Sequence, residues 1–269
     1  MRIKIHHETN YKYDAKPSYL VQRLHLKPAD FASQKTVNWK ITTAGIDKGL
    51  VYVDGFGNWI HVITAQNLGF ENVILAEGEV DTADSAGMVR GLNCMAPDTV
   101  FLRQTAVTMP DEALKSACLD LSTKGNELER AHNMMGFVNE KIAYEVGTSD
   151  YHTTAAEAFV VGHGVCQDHA HVMISMARHL GIAARYVTGY LVTGVGATSV
   201  ASHAWAELLV SDLGWVGFDA ANGQCPTEHY VRVAAGLDAA AVAPIKGSRR
   251  GSPSDEHMTV EVRVEIAQQ

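Results

Sequence analysis

The segment Gly162-His163-Gly164-Val165-Cys166-Gln167-Asp168-His169-Ala170-His171 sets a cysteine just after a glycine-flanked turn. Thiolate is the reactive form of cysteine, and the unpaired N–H groups of a helix start favour negative charge. Two further groups follow, His203 in Ser202-His203-Ala204-Trp205-Ala206-Glu207 and Asp219 in Trp215-Val216-Gly217-Phe218-Asp219. A histidine can take the thiol proton, and an aspartate can orient that histidine. Cys166, His203 and Asp219 therefore form a candidate nucleophilic triad.

The elements that must position them can be read from periodicity. Ala170, Met173, Ile174, Ala177 and Leu180 recur at helical spacing, with Gly181 as the stop, which predicts a helix over about residues 166–180. Cys166 then lies in the first turn, where backbone N–H groups can also serve as an oxyanion hole. Residues 202–210 alternate, with His203, Trp205 and Glu207 on one strand face and Ala204, Ala206, Leu208 and Val210 on the other. Ser211-Asp212-Leu213-Gly214 is a turn signal, and Trp215–Asp219 reads as the returning strand. Asp219 shares the His203 face only if paired residue numbers sum to an even value, as when Trp205 or His203 opposes Asp219. A one-residue slip would break the triad.

Plainer roles are expected for the neighbours. Asp168 in the first helical turn complements the helix dipole. Cys94, Cys118 and Cys225 read as structural, Cys118 because it shares a helical stripe with Leu114 and Leu121. A metal reading of Cys166, His163, His169 and His171 finds no supporting Cys-x-x-Cys or His-Glu-x-x-His pattern, so neither metal nor cofactor is expected.

The chain of 269 residues carries a net charge of −8, which argues against a general nucleic-acid binder. No apolar run is long enough to span a bilayer, and the N-terminus alternates like a strand rather than a signal peptide, so membrane association is not expected and the cytoplasm is the expected compartment. Four scattered cysteines suggest no disulfide framework. Residues 1–85 read as a small β-sandwich, with strands at Val37–Ile41 and Asn58–Ile63, and residues 86–110 as a connection. Residues 111–269 read as a core of helices followed by antiparallel strands, an α+β pattern. In it, residues 194–201 form a loop beside the site mouth, 246–254 a basic loop, and 258–266 a closing strand.

These motifs resemble the bacterial transglutaminase-like cysteine peptidase superfamily. The resemblance is carried by residues 154–159, 162–171, 181–190, 203–207 and 215–219, and more weakly by Tyr11–Tyr13, Arg23–Pro28 and Asp54–Asn58. It implies a papain-like, transglutaminase-like core of helices on an antiparallel sheet, preceded by a β-rich domain. It also implies Cys166 as nucleophile, His203 as general base and acid, and Asp219 as orienter. Ala183 and Ala220-Ala221-Asn222 depart from the family's more usual proline and Pro-Thr-Asn. The expected activity is acyl transfer at an amide or peptide bond through a thioester, with hydrolysis favoured over transfer to an amine. The expected partner is a peptide or protein amide substrate; the oligomeric state stays open. The rival from another class is a binding module that keeps the fold without turnover.

Overall fold

The computed structural model describes residues 1–66, 68–122, 125–192, 202–251 and 255–267. Six strands open the chain: β1 (Arg2–Tyr13), β2 (Tyr19–Leu24), β3 (Gln34–Thr42), β4 (Leu50–Val53), β5 (Trp59–Gln66) and β6 (Glu71–Thr82). The two-residue strand β7 (Met88–Val89) precedes the helices α1 (Glu112–Ser122) and α2 (Glu127–Lys141). Then come β8 (Ala143–Tyr144), α3 (Ala155–Val161), β9 (His163–Gly164) and α4 (Cys166–His179). The chain ends in β10 (Ala184–Leu191), β11 (His203–Val210), β12 (Gly214–Phe218), β13 (Tyr230–Gly236), β14 (Ile245–Arg250) and β15 (Glu256–Ile266).

These strands build two four-stranded sheets, ordered β15-β1-β6-β3 and β14-β2-β5-β4, and one five-stranded sheet, β13-β10-β11-β12-β7. All their pairings are antiparallel. Helix α4 is the centre of the main core: every residue from Asp168 to Arg178 is buried. Its apolar stripe packs on Ala204, Ala206, Leu208 and Val210, the small and branched face of β11. Trp205 and Glu207 point to the opposite face, as the alternation requires. The fold is α+β, with a β-rich N-terminal part.

The strand assignments add detail to the sequence reading at three points. The closing strand forms over 256–266 with Val262 and Val264 buried in the same apolar core as α4, and its sheet partner is β1, paired along Ile3↔Ile266 to Tyr13↔Glu256. The segment expected as a basic loop is instead β14 over residues 245–250, which pairs with β2. Its basic residues Lys246, Arg249 and Arg250 suit an edge strand, where one side of the strand meets water. The connecting segment supplies β7, the last strand of the five-stranded sheet, through Trp215↔Val89 and Val216↔Met88. The expected loop at 194–201 lies outside the described residues.

The other face of the five-stranded sheet rests on the sandwich. Gln34 donates to Arg232 O at 2.8 Å and accepts from Arg232 N–H at 2.7 Å. Asn58 pairs with Ala235 in the same two-way manner, both at 2.8 Å. Two side-chain amides thus satisfy backbone groups on edge strand β13 that would otherwise be buried and unpaired. Between these layers, Glu207 accepts from Arg185 Nε at 2.5 Å and from Arg232 Nε at 2.8 Å. Burial pushes the Glu207 pKa up, but the two guanidinium groups outweigh it and hold the carboxyl ionised. Arg185 also stacks over Trp215, 4.0 Å from the ring centroid.

Because β15 covers β1 and buries Val262 and Val264 completely, its removal is expected to destabilise the whole chain. Deleting residues 256–269 should cost roughly 3 kcal/mol or more, taking about 1.5–3 kcal/mol per buried valine. Urea unfolding followed by circular dichroism measures it. An unchanged midpoint would show that the strand is an appendage.

Candidate active site

Two glycines make the approach to Cys166. Gly162 ends α3 in the left-handed region (φ 78°), and its N–H donates to Ala158 O at 2.9 Å. Gly164 leaves room for Asp168, whose Oδ2 would lie 2.6 Å from a Cβ at that position. The Asp168 carboxylate folds back to accept the Val165 N–H at 2.7 Å and the Ser149 hydroxyl at 2.5 Å. It is almost fully buried. Asp168 therefore does more than complement the helix dipole: it fixes the turn that carries Cys166. The parallel pair β8–β9 braces the same turn through Ala143↔His163 and Tyr144↔Gly164.

The backbone bonds of α4 begin with Asp168 N–H and His169 N–H, both donating to Val165 O. The N–H groups of Cys166 and Gln167 precede them, at the end of the helix where anions are favoured. His169 and His171, weighed above as metal ligands, have other partners. The His169 ring spans Val165 O and Ile142 O, each at 2.9 Å. His171 Nε2 accepts the Ala239 N–H at 3.1 Å, and burial pushes its pKa down to about 4.

The β11–β12 register meets the parity condition. Ala206 pairs with Phe218 and Leu208 with Val216, so the same register carried one step on sets Asp219 opposite Trp205. His203 Nε2 and Asp219 Oδ2 are 2.7 Å apart. The ring also interacts with the Cys166 side chain. The structure thus brings Cys166, His203 and Asp219 together. Burial disfavours the His203 cation, but its contacts with Asp219 and Cys166 win and push its pKa up to about 10. Burial likewise opposes the Asp219 charge, and His203, Asn222 and Tyr230 overcome it, holding that carboxyl below its ordinary value.

Several contributors escaped the sequence reading. Asp219 Oδ2 also accepts from Tyr230 OH and Asn222 Nδ2, each at 2.7 Å. Asp219 Oδ1 accepts the Ala221 and Asn222 N–H groups at 3.1 and 3.3 Å. Gln224 holds Tyr230 OH in turn, at 2.9 Å. Trp205 stacks beside the His203 ring, centroids 6.1 Å apart, and meets Tyr230 edge-on at 5.5 Å. Asn222, three residues after Asp219, had a local signal in the Asx-type turn. Tyr230 had none, since only the pairing of β13 with β10 brings it near. Tyr144 stands half-exposed at the site: burial, then the charges of Cys166 and Asp219, push its pKa up.

With this geometry in hand, comparison with known proteins identifies the lineage. Residues 116–220 match the transglutaminase-like superfamily core, and residues 3–81 match the bacterial transglutaminase-like N-terminal region. The chain belongs to the transglutaminase-like superfamily, in its bacterial two-part form. An uncharacterized protein of Mycobacterium leprae is 27% identical over 97% of this chain and 98% of its own length. One from Mycobacterium tuberculosis is 25% identical over 98% of this chain and 92% of its own. The fold is shared with a crystal structure of a proposed cysteine protease from Cytophaga hutchinsonii. That structure gives a TM-score of 0.76 at 21% identity, covering 100% of this chain and 92% of that one.

Three measurements follow from the site. Iodoacetamide should alkylate Cys166 faster than Cys94, Cys118 or Cys225 near pH 7. Burial pushes the Cys118 thiol up to about 11 and raises Cys225 as well. Peptide mapping of the modified thiols decides it, and equal or slower labelling at Cys166 would sink the idea. The second concerns pH. The folded His203 pKa lies above the ordinary 6.5, so its stabilisation is complete below that value and is lost as pH rises towards about 10. The stability gap between wild type and His203→Gln should therefore shrink across that window in urea titrations. Third, Asp168→Asn turns an acceptor towards two donors into an amide and should cost about 1–3 kcal/mol of stability. A cost below about 1 kcal/mol would return Asp168 to a mere dipole partner.

Proposed function

We propose that this protein is a cysteine-dependent acyltransferase acting on an amide or peptide bond, with water as the usual acceptor. In this reading Cys166 attacks the amide carbonyl and forms a tetrahedral oxyanion. His203 takes the thiol proton and delivers it to the leaving amine, so the C–N bond breaks and a thioester remains. Water, deprotonated by His203, then attacks the thioester and releases the acid and the free thiol. Asp219 keeps the ring oriented and stabilises the imidazolium. The Cys166 and Gln167 N–H groups are the backbone donors closest in sequence to the developing oxyanion.

The observation that carries this reading is the His203 ring, held at 2.7 Å by a fully buried Asp219 while it interacts with Cys166. A binding module would have no need to bury a carboxylate with five hydrogen bonds around one histidine. The Cytophaga hutchinsonii protein is described as a proposed cysteine protease, which supports water as acceptor. Membership of the transglutaminase-like superfamily keeps an amine acceptor as the second reading. The described cysteines are all free thiols, which fits the cytoplasm.

The test is a thiol-directed activity probe followed by peptide panels with and without an added primary amine. Acid products in both arms support hydrolysis, whereas amine incorporation would make the protein a transferase. On the substrate so found, Cys166→Ala should abolish turnover. Asp219→Asn should stay folded and lose turnover on the order of 10⁴-fold, as in the serine-protease template. A fully active Asp219→Asn would show that another group orients His203.

A further inference from the structure

The sandwich has four sheet edges, and three of them are defended against pairing with another chain. Edge strand β3 carries Lys35 and Lys40 and has a register shift between Thr36 and Asn38. Edge strand β14 carries Lys246, Arg249 and Arg250. Edge strand β15 carries Glu256, Glu261, Arg263 and Glu265. Charges and bulges of this kind are how native sheets block edge-to-edge association. The fourth edge, β4, has none of these devices. Its sequence is Leu50-Val51-Tyr52-Val53, and among the described residues it pairs only with β5, along Leu50↔Val62 to Val53↔Trp59. All four side chains are between 41% and 63% exposed, on both faces of the strand. Four consecutive exposed apolar residues on an open edge form a template for another strand.

We propose that β4 pairs antiparallel with β4 of a second copy, giving a two-fold dimer with an eight-stranded sheet running through it. The charges flanking the strand choose this occupant. Lys48 precedes β4 and Asp54 follows it. In an antiparallel self-pairing with Val51 on the two-fold axis, Leu50 faces Tyr52 of the other copy. Lys48 ends a short 3-10 turn just before the strand and Asp54 opens the turn after it, so the Lys48 end of each copy lies beside the Asp54 end of the other. Attraction thus occurs twice, while the strand itself brings no like charges together. This matters for a chain with a net charge of −8, whose copies otherwise repel. Beside β4, Val53 and Trp59 share a mixed groove with Val37 and Trp39 of β3 and with Lys27 and Asp30, so polar groups also border the strand. The interface is short, so a weak, concentration-dependent dimer is expected rather than an obligate one.

Sedimentation velocity over a concentration series tests the pairing on the full chain. Wild type should shift towards twice the chain mass as concentration rises. Val51→Lys sets two cations face to face on the axis and should raise the dissociation constant by at least on the order of tenfold. Its side chain is exposed, so folding should survive; circular dichroism checks this. Lys48→Glu, outside the strand, should weaken the dimer too by opposing Asp54. Oxidative cross-linking tests the register independently. Val51→Cys should form a covalent dimer, while Leu50→Cys and wild type should do so far less. A wild type that stays monomeric at every concentration overturns the proposal. A dimer indifferent to both charge variants, or a Leu50→Cys that cross-links as well as Val51→Cys, overturns it equally.

Discussion

The register of the β11–β12 hairpin is the constraint on which the site depends. Side chains on a strand alternate with a period of two, so a one-residue slip would turn Asp219 away from His203. The pairing Ala206↔Phe218 prevents it, because it also sends Ala204, Ala206 and Leu208 into the helical core. Slippage would bring Trp205 and Glu207 against α4 and expose the small apolar face. The packing of the core and the facing of His203 towards Asp219 are therefore one condition. Tight turn geometry helps: Asp212 and Gly214 both adopt left-handed backbone angles, φ 67° and 81°.

Around that hairpin, polar satisfaction does the remaining positioning. A buried carboxylate without partners would neutralise by taking up a proton. Asp219 avoids this by accepting from His203, Tyr230, Asn222 and two backbone N–H groups. Asp168 plays the comparable part at the other element, where it closes the turn before Cys166. Each carboxylate is thus tied to backbone as well as to a side chain. The nucleophile and its histidine are held on two elements, α4 and β11, that pack against each other through an apolar face.

The sandwich completes this arrangement from behind. Glu207, Arg185 and Arg232 form a buried ionic layer under the five-stranded sheet, next to the Trp205 and Tyr230 side chains that contact His203. Such a layer adds little net stability compared with apolar packing, but losing one member would strand a buried charge. It favours one docking of sheet on sandwich over others. The return of β14 and β15 to β2 and β1 ties both ends of the chain into the same unit.

Local pattern determined much of this protein. Helical spacing from Ala170 to Leu180 marked α4, alternation from Ser202 to Val210 marked β11, and the glycines around His163 marked the turn before Cys166. These features depend on neighbours within a few residues, so sequence alone carries them. Sequence also stated which register parity the proposed triad needs, without fixing the register. Tertiary structure made that choice, brought Tyr230 from β13 to Asp219, and assigned the last two strands to the sandwich. Nor did local pattern reveal the full role of Asp168, because Ser149 reaches it from a loop nineteen residues earlier. The physical reason is common to all of these: hydrogen-bond partners and sheet neighbours are selected by which buried groups lack water, and that is known only once the layers have packed.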